Sequence, residues 1–247
     1  MAIDSETREA ITTALFRNDQ LGLFSQLNDR QGHDRRVVST WALKVACEMD
    51  CGWPAIYICV GQSADVNVKF CRDGRTVLHK LCEDNCTDSM LEYILEHGAD
   101  TSMVDSLKNT PLMSLCGSND PTKGAVRLLH QYGADLEVVG EYGFTPLCMA
   151  CQCNNDEAAL ELVELGANIS FTDSKGMTPI ALARENGNEG LALALEGALN
   201  DSFINLMEDD DEDDEDVDDD EIEDPVDVAE ETTDDEEDDD EEEEEEE

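Results

Sequence analysis

The chain has 247 residues, with 62 Asp and Glu against 15 Lys and Arg and a formal net charge of −47. From Glu208 onward, 32 of 40 residues are acidic and none is basic, which leaves 30 acids and all 15 bases in the body. This balance argues against direct binding to nucleic-acid phosphates or to anionic lipid, both of which are recognised through cationic surface.

Only the body has the aliphatic content to bury a core. The tail repels itself and has too little apolar surface to offset the entropy of ordering, so residues 201–247 are expected to form a disordered acidic tail. At the other end, "MAIDSETREAITTALFRND" has neither the basic flank nor the apolar centre of a secretory signal. The most apolar run, "WPAIYICVG" from Trp53 to Gly61, is too short to cross a bilayer. A cytoplasmic or nuclear protein, not a secreted one, is expected, with its ten cysteines mostly reduced. Arg30, Arg35 and Arg36, with His33, form the one basic cluster. It reads as solvated turn charges, with docking of the acidic tail or a nuclear import signal as the alternatives.

Downstream, four segments align: "DGRTVLHKLCED", "LKNTPLMSLCGS", "EYGFTPLCMACQ" and "SKGMTPIALARE". Their threonines, Thr76, Thr110, Thr145 and Thr178, are spaced by 34, 35 and 33. A second anchor, in "LEHGADT", "HQYGADL" and "VELGANI", places Gly98, Gly133 and Gly166 at intervals of 35 and 33. Thr followed by Pro or a small apolar residue suits a helix N-cap with proline in the first turn. Leu78, Leu81 and Cys82 then mark the buried face of one short helix, and Met90, Leu91, Ile94 and Leu95 that of a second. Gly98 is placed to end the second helix in a left-handed conformation. Asp73–Gly74 predicts a tight turn between units. A two-helix unit of this size cannot bury its apolar side alone and must stack on its neighbours.

These residues, above all "TPLCMA" at Thr145–Ala150, "TPIALA" at Thr178–Ala183, "TVLH" at Thr76–His79 and the Gly-Ala-Asp/Asn anchors, resemble the ankyrin repeat family. The family histidine is kept only at His79 and is replaced by Met113, Cys148 and Ala181, while Val77 stands for proline. "WALKVACEMD" and "SADVN" continue the register upstream, with Leu43 lying 35 residues before Leu78 and Ser63 lying 35 before Gly98. The resemblance implies an all-α repeat solenoid of helix-turn-helix and β-turn units, about five to six including caps. The expected division is a capping helix pair within 1–36 and repeats at about 37–71, 72–106, 107–141, 142–174 and 175–200.

The register also explains the cysteines. Cys47, Cys82, Cys116 and Cys151 recur at intervals of 35, 34 and 35, where the resemblance implies a small residue at the stacking of successive helices. A buried thiol serves there as a small hydrophobe. Cys148 and Cys151 have no second local pair with which to complete a tetrahedral metal site. No nucleophile elbow or phosphate loop is present either, so no catalytic residue, cofactor or metal is expected. His79 is expected to hydrogen-bond locally, and His97 and His130 to complement helix C-termini. Trp41, Trp53 and Tyr57 are expected in core or stacking positions.

The resemblance implies protein binding through turn tips and inner helices. The residues before the threonines, Arg75, Asn109, Phe144 and Met177, and the tip residues Arg72, Lys108, Glu141, Tyr142 and Lys175, form the expected partner-facing stripe. Thr232 and Thr233, ahead of a run of acids, resemble casein kinase 2-type phosphorylation sites. The leading expectation is a monomeric, non-enzymatic escort or chaperone-like binder of a basic protein, such as a histone or ribosomal protein. In this reading the repeats recognise and the tail neutralises. The alternative is an adaptor or signalling regulator of a non-basic partner, with the tail serving solubility or autoinhibition.

Overall fold

A computed structural model describes residues 3–30, 32–84, 87–118 and 124–208. The polyacidic tail from residue 209, with Thr232 and Thr233, lies outside the described residues, as do Cys86 and the side chain of His33. Among the described residues the ordered elements are all helices. They are α1 (Ser5–Phe16), α2 (Gln20–Asn28), α3 (Gly32–Glu48), α4 (Trp53–Gly61), α5 (Val77–Glu83) and α6 (Asp88–Glu96). The chain continues through α7 (Pro111–Cys116), α8 (Ala125–Gln131), α9 (Pro146–Gln152), α10 (Asp156–Glu164), α11 (Pro179–Glu185) and α12 (Glu189–Glu208).

The repeat is built from the sequence signals that define it. Thr110, Thr145 and Thr178 cap α7, α9 and α11, each hydroxyl accepting from the N–H three residues on at 3.2–3.3 Å, with Pro in the first turn. Gly98, Gly133 and Gly166, just beyond the second helices, have φ of 84°, 88° and 91°. The Asp or Asn after each Gly-Ala then turns the chain. Asp100, Asp135 and Asn168 accept through Oδ1 from the N–H two residues ahead at 2.9 Å, and Asp65 does the same at 3.0 Å.

Stacking makes the core continuous. The inner helices pack in the order α5, α7, α9, α11 and the outer ones in the order α6, α8, α10. Cys47, Cys82, Cys116 and Cys151 are buried among Leu and Ala side chains of that stack, and the nine described cysteines form no disulfide. The first repeat, α3 and α4, is covered on its N-terminal side by α1 and α2. Its junction with the second repeat is bridged by polar groups and rings. Lys80 binds Asp50 at 2.7 Å, Asn67 Nδ2 donates to the Gly98 carbonyl at 2.9 Å, and Trp53 and Tyr57 meet Tyr93.

Two expected boundaries fall inside helices. The division at 36/37 cuts α3, which runs unbroken from Gly32 to Glu48. Trp41 holds the register of the later threonines, so nothing caps a helix there and the turns before it continue into it. The division at 200/201 cuts α12, which reaches Glu208 with no glycine or proline between Gly197 and Glu208 to end it.

The basic cluster is held by local structure. Arg30 donates to Thr7 Oγ1 at 2.5 Å and pairs with Asp34 at 3.4 Å. Arg35 donates to the carbonyls of Arg30 and Asn28, at the end of α2, and Arg36 lies 3.8 Å from Asp65.

Candidate functional site

Four turns project between the helix pairs, and each closes with the same two backbone hydrogen bonds. In the first, Phe70 N–H donates to Arg75 O at 3.0 Å and Gly74 N–H to Cys71 O at 3.2 Å. The equivalent pairs are Asp105 with Asn109 and Lys108 with Asp105, Gly140 with Phe144 and Gly143 with Gly140, and Asp173 with Met177 and Gly176 with Asp173. The residue before the last of each turn has positive φ: 73° at Gly74, 58° at Lys108, 79° at Gly143 and 78° at Gly176. Lys108 is the only non-glycine of the four. In two turns a buried aspartate replaces solvent as backbone acceptor. Asp105 Oδ1 accepts from Leu107 and Asn109 N–H, and Asp173 Oδ1 from Lys175 and Met177 N–H, all at 2.8 Å.

Successive turns are linked to one another. Ser106 N–H donates to Asp73 O at 2.7 Å, Glu141 N–H to Leu107 O at 2.9 Å, and Ser174 Oγ–H to Tyr142 O at 2.9 Å. The contact at Gly143 leaves no room for a side chain, because a Cβ there would lie 2.8 Å from Ser174 N. The fingers thereby form one connected edge.

On this edge Arg72, Lys108, Glu141, Tyr142 and Lys175 are exposed, Tyr142 at 57 %. The residues before the threonines are placed differently. Arg75, Asn109, Phe144 and Met177 are half-buried, and Phe144 and Met177 pack against the core. The expected stripe is therefore two rows, a solvated tip row and an inner row shared with the core.

Between fingers and inner helices of the second to fourth repeats lies a groove of about 370 Å³. Its lining carries the polar Arg75, Glu83, Asp105 and Asn109 and the apolar Leu107, Met113 and Met149. Arg75 Nη1 donates to Glu83 Oε2 at 2.6 Å. Burial pushes the Glu83 carboxyl above its usual range, and the adjacent Arg75 opposes the shift. Two buried polar atoms, Arg75 Nε and Asn109 Oδ1, have no hydrogen-bond partner among the described residues. A Cβ at Gly140 would lie 2.7 Å from Met113 Cε and 2.9 Å from Asn109 Oδ1, so glycine there lets these two side chains pack against the next finger. Arg75 and Asn109 were legible from the repeat register. Glu83, Leu107, Met113 and Met149 were not, although their place on the first-helix face or next to a finger was available as a signal.

The groove is fixed from beneath by two polar residues. His79, fully buried, accepts from Thr76 N–H through Nδ1 at 3.2 Å and donates Nε2–H to Asn109 O at 3.1 Å. Asn155, 4 % exposed, donates to the carbonyls of Leu115, Cys116 and Ser118 at 3.1–3.3 Å and caps α10 by accepting from Ala158 N–H at 3.1 Å. It closes the C-terminal end of α7 and opens the next outer helix with one side chain. His97 Nδ1 lies 2.7 Å from Tyr93 O and His130 Nδ1 3.3 Å from Ala134 O, both at helix ends.

The described cysteines lie elsewhere, most of them within the stack. Cys148 and Cys151 are fully buried, and burial raises the thiol of Cys151 to about 12. Among the described residues no group of three or more His, Cys, Asp or Glu is arranged to hold a metal ion, and no helix is long and apolar enough to cross a membrane.

A family model described as ankyrin repeats (3 copies) matches residues 43–139 and again 118–205. No curated protein matches the chain.

Proposed function

Because the chain belongs to the ankyrin-repeat family, whose arrays bind other proteins, we propose that it is a non-enzymatic escort that holds an extended segment of a basic protein against the groove and fingers. The carrying observation is the groove itself. It brings the Arg75–Glu83 ion pair and the Asp105 carboxylate together with Leu107, Met113 and Met149 in one lining. Such a surface suits a chain that offers cationic or N–H donors between apolar side chains. An arriving cation would share Glu83 with Arg75, whose guanidinium already lies 2.6 Å from it.

The tail adds a different physical term. Its 32 acids in 40 residues attract a basic surface at long range and compete with nucleic acid for the same cations, and this attraction weakens as salt rises. Tethered to the array, it raises the effective concentration of a second contact. In this reading the protein acts as a monomer in the cytoplasm or nucleus, on a partner such as a histone or ribosomal protein. Phosphorylation at Thr232 and Thr233 would strengthen the negative field.

The deciding experiment is affinity capture with full-length protein and with residues 1–207, each washed at low and moderate salt. Basic proteins that are enriched on full-length protein and lost with the tail or with salt support the escort. A non-basic partner retained equally on both baits replaces it with an adaptor in which the tail is accessory.

A further inference from the structure

We propose that the outer face of the first two repeats is a recognition surface for arginine side chains of a partner protein. The surface is separate from the groove. On α4, Trp53, Tyr57 and Gly61 recur every four residues and so share one face. Tyr93 of α6 lies across them. Its ring is 5.7 Å from Trp53, edge-on, and 4.5 Å from Tyr57, and its hydroxyl reaches the place a side chain at Gly61 would occupy, 3.3 Å from a Cβ there. These contacts, with His97 against Tyr93 at 4.2 Å, fix the rings; Trp53 and Tyr93 are half-buried, and Tyr57 remains 50 % exposed.

The chemistry beside the rings follows from the repeat. Adding one period of 35 residues converts Trp53 to Asp88, Tyr57 to Glu92 and Gly61 to Glu96. The same helix positions that are aromatic or bare in the first repeat are therefore carboxylates in the second. Asp88, Glu92 and Glu96 are all exposed, and none makes an ion pair among the described residues. One period further on the position holds Arg127, which is committed to Glu164 of α10. A partly exposed aromatic face beside exposed carboxylates without ion pairs complements a planar cation. A guanidinium can stack on a ring and donate two parallel hydrogen bonds to a carboxylate, whereas an ammonium is a compact, strongly hydrated charge.

The inference deepens the escort reading by naming what a basic partner would present here, and it rests on that reading for the sign of the partner's charge. The test uses the full chain carrying Trp41→Phe, which leaves Trp53 as the sole tryptophan of the two. The probes are a capped peptide alternating arginine with glycine and its lysine counterpart, at moderate salt. Trp53 emission reports this face, and anisotropy of labelled peptide reports total binding. The expected result is binding at Trp53 about two- to fivefold tighter for the arginine peptide. Tyr57→Ala and Glu92→Gln, at an exposed position, should each abolish that preference without changing the helical circular dichroism.

Equal Trp53 responses to both peptides, or a preference that survives both substitutions, overturn the assignment. Anisotropy showing both peptides bound while Trp53 stays silent overturns it and leaves the escort reading standing. An arginine preference at Trp53, combined with capture that is indifferent to tail and salt, supports the surface and rejects the escort.

Discussion

His79 of α5 donates Nε2–H to the carbonyl oxygen of Asn109, 3.1 Å away in the next finger, while its Nδ1 accepts from the Thr76 N–H at its own helix start. One imidazole thus joins the cap of one repeat to the groove wall of the next. Both bonds together specify the neutral ring, protonated on Nε2 only.

Burial lowers the His79 pKa from its ordinary 6.5. Between the unfolded value and the lower folded one, the unfolded chain binds more protons, so stability rises with pH. The contribution of His79 should be complete above about pH 6.5 and fall as pH drops through the folded value. Urea denaturation across this range should show the decline, and His79→Gln should flatten it. An identical pH slope in the variant would remove His79 from the account.

Asn155→Ala should cost about 2–3 kcal/mol, because it removes a helix cap and leaves buried carbonyls of α7 without a donor. The loss should be local at first. Amide exchange should accelerate in α7 and α10 before α5, and Asn155→Asp should not rescue it, since a carboxylate cannot donate to the Leu115 and Cys116 carbonyls.

Lys108→Gly should raise stability by about 0.5–1 kcal/mol, the left-handed strain relieved minus the added freedom of glycine in the unfolded chain. Ser63, with φ of 69° at the register of Gly98, should respond in the same way. The two variants separate stability from binding. If the fingertip cation contacts a partner, Lys108→Gly weakens capture despite its higher melting temperature, while Ser63→Gly leaves capture unchanged.

Thiol reactivity should divide by depth. The half-buried Cys51, Cys71 and Cys153 should react with iodoacetamide at pH 8 ahead of Cys47 and Cys151, whose thiols burial raises to about 12. Against an ordinary value of 9.0, three units reduce the thiolate about 1000-fold before access is considered. Mass spectrometry of a labelling time course reads the order directly. Early labelling of Cys151 would mean that the stack opens there.

The array was legible because its signals are local. A threonine, a proline and a glycine each fix one helix end, and the period repeats them. Legibility failed where one residue changed two things at once. Trp41 removed both a cap and a boundary, so α3 extends past the division expected at 36/37. Tyr57, expected in the core or in stacking, does stack on Tyr93 at 4.5 Å, and half of its side chain also meets solvent. The groove could not be read as a unit, since Arg75, Asn109 and Met149 come from three repeats and meet only after stacking. Phe144 shows the converse, a variable position whose aromatic ring leans on the core.

The column formed by Cys47, Cys82, Cys116 and Cys151 places one sulfur in each of four successive layers of the stack. Each layer therefore carries its own intrinsic clock for opening. A thiol that becomes reactive only when its layer parts from the next records the frequency of that event. Four native positions, read together, would trace how a disturbance at one end of the array propagates toward the other without the insertion of a single foreign probe.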